Sequence, residues 1–367
     1  MKRHFSLLAN QPLFTFGICS LLWANLASGG TVTVWGGGQT NTPPGLNNIS
    51  GLSSSADHTL ALTSSGTVIA WGFDFDGQCD VPGGLNNVNA VAAGPGFSLA
   101  LKSDGTVVAW GANEYSQCHV PPSLQNVVAI AAGRTHSLAL KFDGTVVAWG
   151  SDAFGQCDVP AGLNASAIVA AGDYSLALLS NGTVVGWGVN DSGQTSIPGG
   201  LAQVVAIAGN IDFCLALRSD GTVTGWGHVP SIPGLSGIVG IAAGEDHCLA
   251  VNSAGQVTAW GGDESGQIDV PGGLSNISGV RAAWNYSLAL SAVGVAPFQL
   301  TNPHWNGNTF SVWLTSQSGR SYTLQYKNSL VNGAWTALSP VSGNGGMLVL
   351  TDPSASGSQR FYRVSAQ

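Results

Sequence analysis

The sequence has few charged side chains, since only 8% of its 367 residues are Asp, Glu, Lys or Arg. With 44% hydrophobic residues, this composition excludes an intrinsically disordered chain, which combines low hydrophobicity with high charge. After residue 29, no segment is apolar over the ~20 residues that a membrane-spanning helix needs. What the chain does contain is 52 glycines, with much valine, alanine and tryptophan. This composition favours many short strands joined by tight turns, an all-β protein.

Recognisable catalytic and metal-binding motifs are also absent. The sequence contains no Gly-x-Ser-x-Gly, phosphate loop, zinc motif or complete calcium-binding loop, and Asp74-Phe75-Asp76-Gly77 comes nearest to the last. His58, His136 and His247 occupy a repeated position that elsewhere holds Phe or Tyr, which indicates packing in place of metal binding. We therefore predict no enzymatic activity, no cofactor, no metal and no small-molecule substrate.

The cysteines do not form a disulfide pattern. Five follow residue 29, and an odd number argues against a disulfide framework. Cys79, Cys118 and Cys157 are 39 residues apart, at a position that holds Thr195 and Ile268 in other repeats. We expect structural thiols in small, partly buried sites, too far apart to bridge.

The first 29 residues have the features of a secretory signal peptide. Basic residues at positions 2–4 precede an apolar stretch of about a dozen residues, and Ala27-Ser28-Gly29 supplies small residues for cleavage. A retained anchor is the alternative, but it needs a longer apolar run. We predict a protein that is secreted or displayed at the cell surface.

The charge of the chain is unevenly distributed. Residues 30–292 carry five Lys or Arg against 18 Asp or Glu, whereas residues 293–367 carry four Arg or Lys against Asp352. So acidic a region repels phosphate backbones, which excludes nucleic acid as its expected partner.

Two short runs recur along residues 30–292. One has the form Gly-Thr-Val followed by Trp-Gly, and the other the form His-Ser-Leu-Ala-Leu, with Phe or Tyr replacing His in some copies. Each occurs seven times at a period near 39 residues. The tryptophans of the first run are Trp35, Trp71, Trp110, Trp149, Trp187, Trp226 and Trp260. Such a period predicts a closed ring of repeats.

A single repeat predicts four antiparallel strands, A to D. In the third copy these are 127–133, 136–140, 145–149 and 156–160, with Asp143-Gly144 turning between B and C. The repeats begin with C and D alone and end with A and B alone, so we predict a seven-bladed propeller over 30–292, its last blade formed by both termini. The tryptophans are expected to fill the spaces between blades.

The remaining residues, 293–367, predict a second and smaller all-β domain. Strand-like runs at 310–314, 322–326, 347–350 and 361–364 are separated by Gly- and Ser-rich turns. We expect a β-sandwich similar to fibronectin- or immunoglobulin-like modules. Trp305, Trp313 and Trp335 would allow stacking on sugar rings, although a place in the core is the alternative.

The run Gly133-Arg-Thr-His-Ser-Leu-Ala-Leu-Lys-Phe-Asp-Gly-Thr-Val-Val-Ala-Trp-Gly150 resembles the repeats of the regulator-of-chromosome-condensation family. The short repeat, with Trp149-Gly-Ser-Asp-Ala-Phe-Gly-Gln156 and then Val159-Pro160, is closest in style to the secreted type II β-lactamase inhibitory proteins. Both resemblances imply seven blades. They specify the fold far better than the function.

One face of the predicted propeller varies from blade to blade. Loops A–B and C–D lie there and carry twelve of the ring's 18 acidic residues together with exposed aromatics, whereas the B–C loops are repetitive turns. Aromatic anchors among polar residues are typical of protein-binding surfaces. The C–D loop is shortened after Trp35 and Trp226, which predicts notches in this face. The predicted site comprises Phe73, Asp74, Phe75, Asp76, Glu114, Tyr115, Asp152, Phe154, Asp173, Asp191, Asp212, Glu245, Asp246, Asp263, Glu264 and Trp284.

These observations favour a secreted, non-enzymatic scaffold that binds another protein. One predicted kind of target is an extracellular enzyme that the scaffold inhibits. A module that binds the cell envelope or a carbohydrate is the alternative. Guanine nucleotide exchange, which the resemblance also implies, is a remote alternative, because the exchange factors carry a wedge-like insertion that this chain lacks.

Overall fold

The structure is a computed structural model that describes residues 6–7, 30–38, 41–44, 46–291, 300–306, 309–316, 321–327, 336–343, 347–355 and 361–366. The chain divides into two compact units: residues 15–293, and residues 1–14 together with 294–367. All regular elements among the described residues are β-strands, as the composition predicts. None of the described residues belongs to a helix long and apolar enough to cross a membrane.

The larger unit contains seven three-stranded sheets, here called blades 1 to 7. In each blade the middle strand, B, pairs antiparallel with A and with C. Blades 1 to 3 consist of β3 Ile49–Ser54, β4 His58–Thr63 and β5 Val68–Gly72; β6 Val88–Gly94, β7 Phe97–Lys102 and β8 Val107–Gly111; and β9 Val127–Ala132, β10 His136–Lys141 and β11 Val146–Gly150. Blades 4 to 6 consist of β12 Ala165–Ala171, β13 Tyr174–Leu179 and β14 Val184–Gly188; β15 Val204–Gly209, β16 Phe213–Arg218 and β17 Val223–Gly227; and β18 Ile238–Ala243, β19 His247–Asn252 and β20 Val257–Gly261.

Blade 7 joins the beginning of the repeats to their end. Its A and B strands are β21 Ile277–Ala282 and β22 Tyr286–Ser291, and its C strand is β2 Thr31–Gly36, which pairs with β22 over its whole length. The A strands of successive blades contact one another, and β21 contacts β3 of blade 1. Arg281 Nε donates to the Leu52 carbonyl at 2.9 Å across this last junction. The predicted joining of both ends of the repeats in one blade is therefore present.

The predicted fourth strand was wrong. Residues 156–157 form a turn, residues 158–160 belong to no regular element, and the backbone groups that a strand would use are bonded locally. Cys157 N donates to Asp152 Oδ1 at 2.8 Å, Asp158 N to the Gly155 carbonyl, and Val159 N to the Cys157 carbonyl. Pro160 has no N–H to offer a neighbouring strand. The blades are consequently three-stranded, and Val159 contributes only its side chain to the core.

Seven hydrophobic cores, one at each junction of neighbouring blades, hold the larger unit together. Each contains the strand-C tryptophan of the later blade; Trp149 of blade 3, for example, packs with Phe97 and Leu99 of blade 2. The other six cores contain Trp71, Trp110, Trp187, Trp226, Trp260 and Trp35. All seven tryptophans are buried, which confirms the predicted position between blades.

The smaller unit has two sheets. One contains β23 Leu300–Asn306, β24 Thr309–Thr315 and β28 Met347–Asp352. The other contains β1 Ser6–Leu7, β29 Phe361–Ala366, β25 Ser321–Lys327, β26 Thr336–Ala337 and β27 Val341–Ser342. Phe310 of the first sheet and Tyr362 of the second stack at 3.9 Å in one shared core. The smaller unit is therefore all-β with one core shared by two sheets, and a β-sandwich similar to fibronectin- or immunoglobulin-like modules stays a prediction.

Several predictions fall outside the described residues. They concern most of the leader, the linker at 293–297, Trp335 and the side chains of Trp305 and Trp313. Ser6–Leu7 pairs with Phe361–Tyr362 in the uncleaved chain. Removal of a signal peptide would eliminate that pairing, and the signal peptide itself stays a prediction.

Candidate functional site

The A–B loops and the segments that follow strand C lie at the same end of every blade. Strand register places the start of B opposite the end of C, as in His136 opposite Gly150. A backbone hydrogen bond of 2.8–3.1 Å then joins the two loops in all seven blades. Its donor and acceptor pairs are Phe73–Asp57, Ala112–Gly96, Ser151–Thr135, Val189–Asp173, His228–Asp212, Gly262–Asp246 and Gly37–Asn285. This end is called the variable face, and the end with the B–C turns the constant face.

The segment after strand C keeps the name C–D loop here, although strand D is absent from the described blades. In five blades this loop has the same internal hydrogen bonds. An Asp or Asn side chain accepts a hydrogen bond from the backbone five residues later, as Asp152 Oδ1 does from Cys157 N. A buried glutamine reaches back to the loop tip, where Gln156 Oε1 accepts from Phe154 N at 2.9 Å. The corresponding glutamines are Gln78, Gln117, Gln194 and Gln267. The loop tips are therefore held by bonds that involve no partner.

Three of these loops, and the A–B loop of blade 7, leave large aromatic side chains in solvent. Phe75 is 88% exposed and Tyr115, Phe154, Trp284 and Phe73 are 46–59% exposed. Phe73 and Phe75 stack with their ring centroids 5.9 Å apart. Fixed aromatic rings of this kind supply contact area at little entropic cost, which favours protein binding.

The exposed aromatic residues occupy one sector of the variable face, here called the aromatic sector. All five aromatics belong to blades 7, 1, 2 and 3, which are consecutive around the larger unit. The sector of blades 4 to 6 has no exposed aromatic among the described residues. It carries Asp173, Asp191, Asp212, Glu245, Asp246, Asp263 and Glu264. Blades 1 to 3 also carry the exposed residues Asp74, Asp76, Glu114 and Asp152. Aromatic and acidic residues are therefore mixed on these blades, as the sequence predicted, whereas blades 4 to 6 form an acidic sector.

The predicted acidic residues differ in how they are bonded. Asp74, Asp152 and Asp263 accept bonds from their own loops. Asp173 lies 3.7 Å from Arg134, and Asp212 lies 3.5 Å from His228. Asp246 accepts a hydrogen bond from Gln267. The carboxylates of four others are exposed to solvent and accept no hydrogen bond from a described residue: Asp76, Glu114, Asp191 and Glu264.

Burial and neighbouring carboxylates raise the pKa of two carboxyl groups on this face. Burial raises the pKa of Asp57, and the neighbouring carboxylate of Asp76 raises it further, against a backbone hydrogen bond from Gly96. Burial likewise raises the pKa of Glu245, with Asp246 and Asp212 adding to the shift. A cation brought by a ligand would therefore be stabilised here.

The constant face has a different charge balance. Lys102 pairs with Asp104 at 3.1 Å, and Lys141 pairs with Asp143 at 3.2 Å. One large side chain protrudes there, Phe142, which is 76% exposed. Among the described blades, the net negative charge is thus concentrated on the variable face.

Sequence reasoning missed two exposed apolar residues. Ile211, 54% exposed, lies in the acidic sector of the variable face. Phe142 occupies a turn position where Ser103, Ser180 and Ser219 stand in other blades. Exposure of Phe142 could have been predicted, because this residue replaces the serine of other blades at the same turn position. Ile211 is a single aliphatic residue in a loop, and nothing in the sequence indicated that it is exposed.

Within the described ranges, no three His, Cys, Asp or Glu residues are grouped to hold a metal. Cys79, Cys118, Cys157 and Cys248 are free thiols, as expected. Burial raises the pKa of the Cys79 and Cys118 thiols to about 11, so neither is a nucleophile at neutral pH.

Five segments of the chain match the regulator of chromosome condensation (RCC1) repeat: residues 49–78, 88–117, 127–156, 166–194 and 238–267. Each begins with strand A and ends at or near the glutamine of the C–D loop. The chain therefore carries RCC1-like β-propeller repeats, and the resemblance predicted from the sequence is confirmed. No curated protein matches the chain, so the likeness to β-lactamase inhibitory proteins stays a prediction.

Solved structures with a similar fold come from distant proteins. Prp20p from Saccharomyces cerevisiae is 20% identical over 77% of this chain and 94% of its own, with a TM-score of 0.62. Human WBSCR16 is 18% identical over 72% of this chain and 100% of its own, with a TM-score of 0.58. The CRINKLY ectodomain of the Arabidopsis thaliana receptor kinase ACR4 is 19% identical over 64% of this chain and 87% of its own, with a TM-score of 0.52. At these identities the similarity establishes the fold alone.

Proposed function

We propose that residues 30–292 form a closed, seven-bladed, non-enzymatic propeller that binds another protein through its variable face. The observation that carries the proposal is the aromatic sector: five exposed rings on consecutive blades, supported by loops whose hydrogen bonds are satisfied internally. Folding alone does not explain why so many large aromatic side chains are exposed together. Aromatic residues contribute most of the binding energy at many protein interfaces.

The fold relatives support a protein partner. The structure of Prp20p is described together with its binding to Gsp1p and histones, and another structure contains yeast RCC1 (Prp20) bound to Kap60. Those partners are properties of the yeast protein. For the present chain we propose an extracellular partner, because the leader has the features of an export signal. An enzyme whose cleft is blocked by the aromatic sector is the most specific form of this proposal, and a β-lactamase inhibition assay tests it directly.

Nucleotide exchange remains the remote alternative. Within the described part of blades 1 to 7, connections between strands are short, and the C–D loop of blade 5 is shorter than in its neighbours. A wedge of the kind used by exchange factors is not found among these residues. Loading of a small GTPase with fluorescent nucleotide at an unchanged rate would support the scaffold function over exchange.

The decisive experiment compares aromatic residues on opposite faces. The full chain is immobilised and used to recover a partner from culture supernatant. The affinity of this partner is then measured for the full chain and for three variants. Phe75→Ala and Tyr115→Ala are each expected to weaken binding at least about tenfold, since each removes a buried anchor at an interface. Phe142→Ala is the matched control, because it removes an equally exposed ring from the constant face. Equal weakening by all three variants would contradict the proposal.

A further inference from the structure

At most junctions, one backbone carbonyl oxygen accepts two hydrogen bonds that connect neighbouring blades. At five junctions the strand-C tryptophan donates its indole N–H, at 2.8–3.0 Å, to the backbone carbonyl of a glutamine in the preceding blade. A Ser or Cys in the neighbouring B strand donates to the same oxygen at 2.8–3.3 Å. The tryptophan–glutamine pairs are Trp35–Gln267, Trp110–Gln78, Trp149–Gln117, Trp187–Gln156 and Trp226–Gln194. The junction of blades 7 and 1 includes residues outside the described ranges.

The junction of blades 5 and 6 lacks this acceptor. The connection that follows Trp226 is short, and no glutamine is present in it. Trp260 of blade 6 packs against Leu215, Leu217 and Val229 of blade 5 and is only 6% exposed. Its indole N–H is buried and has no hydrogen-bond partner. An unpaired buried donor is destabilising, so an acceptor supplied from outside would be stabilised there.

Negative charge surrounds the same junction. Besides burial, which has the largest effect, the carboxylates of Asp246 in the same blade and Asp212 in blade 5 lie close enough to Glu245 to raise its pKa. His228, with 72% of its side chain exposed, contacts Asp212 from the short connection. Among the described residues, no three His, Cys, Asp or Glu side chains are grouped to hold a metal ion.

We propose that the junction of blades 5 and 6 binds an extended cationic segment of the partner protein. An Arg or Lys side chain of that segment lies among Asp212, Glu245 and Asp246, and one of its backbone carbonyls accepts the hydrogen bond of Trp260 Nε1. Residues 228–230 have to shift for the carbonyl to reach the indole; they pair with no strand. The site rests on the proposed function and names the chemistry of the partner.

The indole N–H signals of the full chain, labelled with ¹⁵N, provide a direct test. The probe is acetylated and amidated tetra-arginine peptide in 150 mM NaCl, and Trp260→Phe assigns the signal. We expect a saturable downfield shift of the Trp260 signal on addition of the peptide. The Trp226 signal is the internal control, because its N–H already donates to the Gln194 carbonyl at 2.8 Å, and it should not move.

Charge variants separate this site from general attraction to an acidic surface. Glu245→Gln with Asp246→Asn should weaken peptide binding at least about tenfold. The control removes two carboxylates from the constant face, by Asp104→Asn with Asp220→Asn, and should change binding less than twofold. Replacement of residues 228–230 by the neighbouring loop 189–195 restores a glutamine carbonyl and should abolish the Trp260 shift.

Three results would each overturn the proposal: a Trp260 signal that stays fixed while the peptide binds, equal weakening by both charge variants, or the same shift with tetra-glutamate. These results are independent of Phe75→Ala and Tyr115→Ala. If the peptide does not bind at blades 5 and 6 but the partner still depends on Phe75 and Tyr115, the proposed function stands without the cationic site. If the peptide binds but the partner does not depend on these aromatics, the cationic site stands without the proposed function.

Discussion

At the scale of single residues, one position of strand B links neighbouring blades through a buried polar contact. His58, His136 and His247 are fully buried there, and their Nε2 atoms lie 2.7–3.0 Å from the hydroxyl of a serine in the next blade. Burial lowers the pKa of His58 and of His136 to about 4. The predicted packing role is confirmed, with an interblade hydrogen bond that the sequence did not reveal.

These histidines should make the larger unit sensitive to acid. An unfolded histidine titrates near its usual pKa of about 6.5 and a folded one near 4, so the unfolded state binds more protons between these values. The free energy of unfolding should be highest above pH 6.5 and fall by up to about 3 kcal/mol for His136 as the pH drops to 4. His136→Phe, which reproduces the residue at Phe97, should flatten that fall in urea titrations at several pH values. His119→Gln removes an exposed histidine and should leave the slope unchanged; an unchanged slope in His136→Phe as well would refute the assignment.

At the scale of elements, the C–D loop is a short turn stabilised by its own side chains. Asp152 therefore has a structural task in addition to any part in binding. Asn113 and Asn190 perform the same task in other blades without a charge. Shape and charge at this position are consequently separable.

Substitutions of Asp152 distinguish the two contributions. Asp152→Ala removes the acceptor of the Cys157 N–H and should lower the free energy of unfolding by about 1 kcal/mol. Asp152→Asn keeps an oxygen acceptor, as at Asn113 and Asn190, and should leave stability within about 0.5 kcal/mol of the parent. Both values come from chemical denaturation, and a loss of equal size in the two variants would show that the charge, not the hydrogen bond, stabilises the loop.

At the scale of the whole larger unit, stability depends on the strand contributed by its N-terminal end. Trp35 in β2 is 6% exposed and packs with Leu249 of blade 6 and Val280 of blade 7. Without β2, the edge of β22 and this core would face water, which invites association with other chains.

A shortened chain tests the closure. A chain beginning at Pro44 lacks β2 and should lose more stability than the ~3–5 kcal/mol typical of a buried Trp→Ala substitution, and it should aggregate in size-exclusion chromatography. A chain beginning at Gly30 is the matched control and should keep the parental unfolding temperature of the larger unit. A peptide of residues 30–43 added in trans should restore the shorter chain; full stability without it would argue against closure by β2.

The repeat pattern predicted the strand-forming segments well, because each blade repeats one arrangement of apolar residues around a tryptophan. It failed at 156–160, where local turns compete with strand pairing for the backbone and Pro160 blocks the ladder. At the candidate site, the loops that carry Phe75, Tyr115 and Trp284 were predictable, since strand direction decides which loops share a face. Which carboxylates remain unbonded was not, because Asp152 and Glu114 look alike until their loop geometry is known.

The sequence alone determined the β-strand repeats, their interblade tryptophans and the acidic character of residues 30–292, because periodicity and composition are local properties of the chain. Only the tertiary structure decided the rest. It determined which side chains of the variable face are exposed, and so which blades form the aromatic sector. It also left the Trp260 N–H without an acceptor, since that bond depends on an oxygen contributed by a neighbouring blade.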